Sequence, residues 1–215
     1  MAKASVLWVA LVSGWWLLSA AGAQTKPQTV GEEQEFVLRP VFLLGDARCR
    51  HAGSITHIEP LSDGRRALST ARDGSVRLWD LTTGRELRRF CSAKGEDVWN
   101  VRLLPGERQL LSCGGDNHVT RWDLESGKIL ARYRLSTTVM RLAVVPGGKQ
   151  FVACDSGRHA SLWDIESGER VHVFKGHRES VYSAAISPDG KTLGNGSDDG
   201  SVRAVEIATP KPRWA

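Results

Sequence analysis

The sequence predicts an all-β fold assembled from about four repeated units. The pair Trp-Asp occurs at residues 79–80, 122–123 and 163–164, which are 43 and 41 residues apart. A further 42 residues along the chain, Val205 and Glu206 stand in the same place. Clusters of Gly, Asp and Pro precede each pair, and short apolar runs typical of strands lie between these turn signals. A period of this length indicates a repeat architecture.

Each unit is interpreted as four short strands. In the fourth unit we expect strands at residues 181–186, 191–195 and 201–205, and in the third unit residues 169–174 supply the fourth strand. Residues 73–74, 116–117 and 199–200 predict tight hairpins, since Asp, Asn and Gly tolerate positive φ. The last unit is expected to lack its fourth strand, because the chain continues as Ala-Thr-Pro-Lys-Pro. Four antiparallel strands per period correspond to one blade of a β-propeller.

The predicted organisation has three parts. The propeller domain covers residues 48–215, with units at about 48–90, 91–133, 134–174 and 175–215. Residues 24–47 form an N-terminal segment that is a candidate strand for completing the last blade. Residues 1–23 are predicted to be a signal peptide, because Lys3 precedes an apolar run and small residues end at Ala23. An uncleaved membrane anchor is the alternative. We therefore expect a periplasmic, extracellular or secretory protein cleaved near Ala23.

Composition and motifs exclude several classes of protein. The 215 residues are 41% hydrophobic and 25% charged, which argues against disorder, collagen or coiled coil for the whole chain. The net charge is +5, with Lys and Arg spread among Asp and Glu, so no nucleic acid partner is expected. The sequence has no Gly-x-Ser-x-Gly, His-Glu-x-x-His, phosphate loop or calcium loop. We predict no catalytic residue, metal or cofactor, although an exported propeller enzyme stays open as a weaker alternative.

With its period, its Trp-Asp pairs and the Gly-His pair at residues 176–177, the chain resembles the WD40-repeat family over residues 48–215. In that family a His, a Ser or Thr, an Asp and the Trp of one blade form a buried hydrogen-bonded network. The resemblance places this network in the first unit at His51, Ser69, Asp73 and Trp79. It is partial in the later units, with Ser112, Asp116 and Trp122 in the second, Trp163 in the third, and His177 and Asp199 in the fourth.

The number of units departs from the family pattern. Family members usually close a ring of seven blades, which needs about 290 residues. Three interpretations follow, namely a small four-unit ring, an open arc that pairs with a second chain, and a piece of a longer propeller. Because open ends leave an apolar face and a strand edge in water, we favour association with another copy or a partner over a lone arc.

Aligned units also suggest a recognition surface. Each first strand opens with an apolar residue, and the position that follows it lies near the mouth of the central channel in the family. Aromatic and Met side chains at this position suit a protein or peptide partner. The residues at this position are Thr56, Trp99, Met140 and Tyr182. Filling of the wedge between blades is the alternative. Arg72 and Arg158, in the hairpin turns, are candidates for reading a carboxylate. The expected function is a non-enzymatic binding scaffold, or alternatively a partial propeller completed by self-association or by another chain.

Overall fold

The computed structural model of the protein describes residues 50–92 and 95–207, and the regular elements in this part are β-strands. The first blade consists of β1 (Ile55–Pro60), β2 (Arg66–Ala71), β3 (Ser75–Asp80) and β4 (Glu86–Cys91). The second consists of β5 (Val98–Leu103), β6 (Gln109–Gly114), β7 (His118–Asp123) and β8 (Ile129–Arg134). The third consists of β9 (Val139–Val144), β10 (Gln150–Asp155), β11 (Ala160–Asp164) and β12 (Arg170–Phe174). The fourth has β13 (Val181–Ile186), β14 (Thr192–Ser197) and β15 (Val202–Glu206).

Each blade is a separate antiparallel sheet whose strands pair in chain order, so the predicted all-β propeller fold is confirmed. The hairpins between second and third strands follow the turn chemistry, because Gly74, Asn117 and Gly200 all have positive φ. The first strands β1, β5, β9 and β13 pack side by side in that order. Among the described residues no comparable packing joins β13 back to β1, so this part of the chain is a partial propeller.

The hydrophobic core lies between successive blades, in three clusters. In the cluster between the first two blades, Leu68 and Phe90 meet Val101 and Trp122, and the Phe90 and Trp122 rings pack edge to face with their centroids 5.6 Å apart. The other two clusters repeat this arrangement between the second and third blades and between the third and fourth. Each large apolar side chain buried in this way contributes about 1.5–3 kcal/mol of transfer free energy. Blade-to-blade packing therefore holds the domain together.

Apolar side chains that interior blades bury are exposed at both ends of the series. Val101 and Leu142 are 0% exposed, whereas Ile58 occupies the same place in the first blade and is 49% exposed. At the other end, Val202 is 83% exposed, while Val76 in the same place of the first blade is 1% exposed. The two end blades thus present surface of the kind that packs against a neighbouring blade.

Several predictions fall outside the described residues. These are the signal peptide or anchor at residues 1–23, the segment 24–47 with its completing strand, and the prolines that follow β15. In residues 50–92 and 95–207, no helix is long and apolar enough to cross a membrane.

Candidate functional site

The first strand of every blade contains a β-bulge at the same place. In the first blade Ile55 pairs with Ala71 and His57 with Thr70, so the intervening residue has no partner on β2. Equivalent register shifts occur on β5, β9 and β13. A bulge of this kind redirects one side chain and is common next to binding sites. The residues left unpaired by the four bulges are Thr56, Trp99, Met140 and Tyr182.

The four bulge residues differ in what they offer to a partner. The Thr56 hydroxyl lies 2.6 Å from the Val98 carbonyl oxygen and 2.7 Å from the Thr70 hydroxyl, so it links the first blade to the second. Met140 is half-buried, and Tyr182 is exposed over 45% of its surface. The aromatic and Met side chains are therefore the accessible apolar groups of this series, whereas Thr56 makes internal contacts.

Trp99 has a charged residue packed on its ring. The guanidinium carbon of Arg72 lies 4.9 Å from the centroid of its ring, within the range of a cation–π contact. Arg72 also approaches Asp97, with 4.0 Å between its Nε and the carboxylate, and its side chain is 57% exposed. The buried indole Nε1 of Trp99 has no hydrogen-bond partner among the described residues. Arg158 lies in the hairpin between β10 and β11, exposed and with φ of 73°.

Beneath this surface, a hydrogen-bonded chain crosses the first blade. The indole N–H of Trp79 donates to the Ser69 hydroxyl oxygen at 2.7 Å, and Ser69 Oγ lies 2.7 Å from Nε2 of His51. Because Ser69 already accepts from the indole, its own O–H is free to donate to Nε2, and the Nδ1–H of His51 then donates to Asp73 at 3.0 Å. Burial lowers the pKa of His51, with the Asp73 carboxylate opposing that shift.

Asp73 fixes the hairpin that carries Arg72. Burial opposes ionisation of its carboxyl, but hydrogen bonds from the Ser75 hydroxyl and the Ala52 amide outweigh burial and hold the pKa well below its usual range. Arg77 adds a charged hydrogen bond at 3.0 Å. Since Asp73 follows Arg72 directly, this network positions the turn that sets Arg72 over Trp99.

The other blades retain parts of this network. In the second blade Trp122 donates to the Ser112 hydroxyl at 2.8 Å, and Asp116 accepts from the amide of His118 at 3.1 Å. In the third blade Trp163 donates at 2.8 Å to Ser161, a partner that sequence comparison with the other units missed.

The fourth blade keeps the histidine and the aspartate without the tryptophan. His177 lies 3.1 Å from Asp199 through Nδ1 and 2.6 Å from the Asn195 side-chain oxygen through Nε2. Ser201 donates to Asp199 at 2.5 Å. Val205, in the tryptophan position, has no side-chain N–H to donate.

Unsatisfied polar groups occur on or just before β5 and β9, the first strands of the second and third blades. Among the described residues, four buried side-chain atoms lack a hydrogen-bond partner, and they are Trp99 Nε1, Asn100 Nδ2, Thr137 Oγ1 and Arg141 Nε. Burial also lowers the pKa of Arg141 and raises that of nearby Asp155, which is 6% exposed. Asn100, Thr137, Arg141 and Asp155 were not predicted as site residues, because nothing in their local spacing in the sequence signals burial.

Concave surface and metal-ligand clusters do not coincide with the bulge residues. A groove of about 720 Å³ lies at the outer side of the second and third blades, where its lining includes His118, Arg134, Trp163 and Arg170. Over the part of the chain that the structure describes, no three His, Cys, Asp or Glu side chains form a group that could hold a metal ion.

Comparison with known proteins identifies the repeats. The family described as "WD domain, G-beta repeat" matches residues 47–80, 84–123 and 168–204. The chain is also 57% identical over 37 residues to the ribosome biogenesis protein ERB1 of Debaryomyces hansenii, covering 17% of this chain and 5% of that protein. Over 43 residues it is 46% identical to ERB1 of Coccidioides immitis and 44% identical to ERB1 of Chaetomium thermophilum, covering 20% of this chain and 5% of each relative. The chain thus spans about a twentieth of these relatives.

The prediction of export is wrong. The matched relatives are ribosome biogenesis proteins, and ribosomes are assembled inside the cell. That prediction depended on the apolar run at residues 5–18, and an apolar run of this length is compatible with several fates besides cleavage by a signal peptidase.

Proposed function

Since the chain belongs to the WD40-repeat family, we propose that it is a non-enzymatic scaffold that binds a protein or peptide partner on its bulge face. We define the bulge face as Thr56, Trp99, Met140 and Tyr182 together with the hairpin residues Arg72 and Arg158. Relatives that are ribosome biogenesis proteins support a role as a component of an intracellular assembly.

One observation carries this proposal: a bulge recurs in all four first strands and each time frees the residue of the same column. Bulges cost ladder pairing, so their repetition favours a use for the redirected side chains. Trp and Tyr are the residues most enriched among binding hot spots, with large apolar area and few rotatable bonds. Arg72 over Trp99 adds a charged group at the rim. Trp99 and Tyr182 are accordingly the proposed anchors.

The test is a peptide-display selection on the full-length protein, followed by affinity measurement of the selected peptides. Trp99→Ala is expected to weaken binding by about 30-fold or more, as truncation of a hot-spot aromatic does. Leu130→Ala is the matched control, because Leu130 is an apolar residue 46% exposed on the outer strand β8. Peptides that bind the Trp99→Ala and Tyr182→Ala proteins as tightly as the wild type would contradict the proposed anchors, and so would loss of binding with Leu130→Ala.

A second candidate function is structural, in which the partial propeller is completed by self-association. It is favoured by the exposed end positions Ile58 and Val202, and by the outer edge of β15, with which no strand among the described residues pairs. Light scattering on the full-length protein across a concentration series is expected to give a dimer or larger species, and Val202→Arg is expected to shift it toward monomer. A monomer at every concentration would reject this candidate.

A further inference from the structure

Arg141 is a half-buried cation that forms no ion pair with any residue the structure describes. It directly follows the bulged Met140 on β9 and pairs in the sheet with Cys154. Its buried Nε has no hydrogen-bond partner among the described residues, and no carboxylate among them makes an ion pair with it. Asp155, the next acidic residue on β10, accepts instead from the backbone amide of His159 at 3.1 Å. A buried donor of a charged group that is left without an acceptor costs free energy, so the unpartnered Nε requires an explanation.

Arg102, on the neighbouring strand β5, has its charge paired with a carboxylate. Arg102 on β5 forms an ion pair with Glu59 at 2.5 Å and donates to the Leu142 carbonyl. Burial lowers the pKa of Arg141, and repulsion from Arg102 lowers it further. The two guanidinium groups therefore share one region, and the carboxylate present there is already engaged by Arg102.

Asn100 supplies a second unsatisfied donor at the junction of β5 and β9. Asn100 Oδ1 accepts from the Leu142 amide at 3.0 Å and ties β5 to β9, which leaves Asn100 Nδ2 without a partner among the described residues. Trp99, adjacent to Asn100, has an unpartnered indole N–H. Arg141 Nε and Asn100 Nδ2 lie on the packed strands β9 and β5, whereas the Trp99 ring lies under Arg72 of the first blade. The complement of Arg141 and Asn100 is a group with two acceptor oxygens and a negative charge, and an arginine fork matches a carboxylate in both respects.

We infer that Arg141 is a specificity-determining residue that pairs with a carboxylate side chain of the partner, at the junction of β5 and β9 next to Met140 of the bulge face. The inference rests on the proposed docking at the bulge face and adds the chemistry that the partner presents there. It predicts that binding segments combine an Asp or Glu with an apolar residue.

The first test uses a small probe on the full-length protein labelled with ¹⁵N. N-acetylglutamate N-methylamide is expected to shift the backbone amide signals of Met140 and Leu142 saturably, with a Kd on the order of millimolar for so small a ligand, whereas the neutral glutamine analogue leaves those signals unmoved. Arg141→Met is expected to weaken the effect by at least about tenfold, as loss of a charged hydrogen bond does. Arg132→Met, an exposed arginine on β8, is the matched control and keeps the wild-type response. Equal shifts from both analogues, or an unchanged response in Arg141→Met, would overturn the inference.

A second readout needs no ligand. Because Arg141 is retained against a cost in stability, Arg141→Met is expected to raise the thermal midpoint of the free protein or leave it unchanged. A lower midpoint would assign Arg141 a structural role and overturn the inference. Arg141→Lys keeps the charge but not the planar fork, and is expected to weaken probe binding while folding normally.

Peptide display separates this inference from the proposal beneath it. One outcome is a set of peptides that depend on Trp99 for binding, contain no acidic residue and bind the Arg141→Met protein normally. That result would support docking at the bulge face and refute the pairing of Arg141 with a carboxylate. Peptides whose affinity is unchanged by Trp99→Ala would refute docking at the bulge face itself.

Discussion

Replacing Ser161 with alanine is expected to destabilise the protein by about 1–3 kcal/mol, because a buried indole N–H loses its acceptor. Trp163 Nε1 lies 2.8 Å from Ser161 Oγ. The two residues are 6% and 3% exposed, so water does not reach the indole to replace the hydroxyl. For a chain of this length each kcal/mol lowers the midpoint of thermal unfolding by about 2–4 °C, so the expected fall is about 2–12 °C.

A rescue experiment isolates the hydrogen bond from other effects of the substitution. Ala153 pairs with Ser161 across β10 and β11, and it occupies the place that Ser69 and Ser112 hold in the first two blades. Adding Ala153→Ser to Ser161→Ala therefore offers the indole the acceptor that those blades use, and is expected to recover most of the lost stability.

The assay is urea denaturation of the full-length protein, followed by circular dichroism, with Ser156→Ala as the control. Ser156 is exposed, so the same chemical change there is expected to alter the free energy of unfolding by no more than about 0.5 kcal/mol. The hydrogen bond between Ser161 and Trp163 does not stabilise the third blade if Ser161→Ala is as stable as the wild type. The same conclusion follows if the double variant is as unstable as the single one.

Two further predictions concern pH and backbone packing. Because the folded state lowers the pKa of His51 from its ordinary 6.5, the unfolded chain takes up the proton first, and stability is expected to fall as pH drops below about 6.5. His51→Asn should flatten the stability slope between about pH 7.5 and 5.5, and an unchanged slope would assign it to other groups. Gly114→Ala is expected to cost about 3 kcal/mol or more, since a Cβ there would lie 1.9 Å from the Asp97 carbonyl oxygen. Gly194→Ala, whose Cβ would meet nothing closer than the Ala185 oxygen at 3.8 Å, is the tolerated control in the same denaturation assay.

The repeat and its strands are readable from the sequence. The strand expected at residues 181–186 is β13 with the same bounds, Val181–Ile186. The hairpin residues Gly74, Asn117 and Gly200 adopt φ of 77°, 62° and 77°, as their turn chemistry predicts. Strand alternation, turn residues and the spacing of Trp-Asp pairs are properties of neighbours along the chain, so one sequence is sufficient to detect them.

The candidate site was only partly readable, because it depends on contacts between strands far apart in sequence. The column containing Trp99 and Tyr182 was visible by aligning the units, but the bulges that redirect it depend on the register of strand pairing. Ser161 escaped notice because its hydroxyl reaches the indole from a different strand than in the first two blades.

Arg141 illustrates what tertiary structure alone decides. In the sequence it is an ordinary arginine between two apolar residues, Met140 and Leu142. The charge of an exposed arginine is solvated by water. The tertiary structure buries the Nε of Arg141, leaves this residue without an ion-pair partner among the described residues and brings Arg102 against the carbonyl of the neighbouring Leu142. Local sequence patterns specify which strands form. Burial and charge pairing depend on which strands become neighbours in the folded protein, and the chemistry of recognition depends on burial and charge pairing.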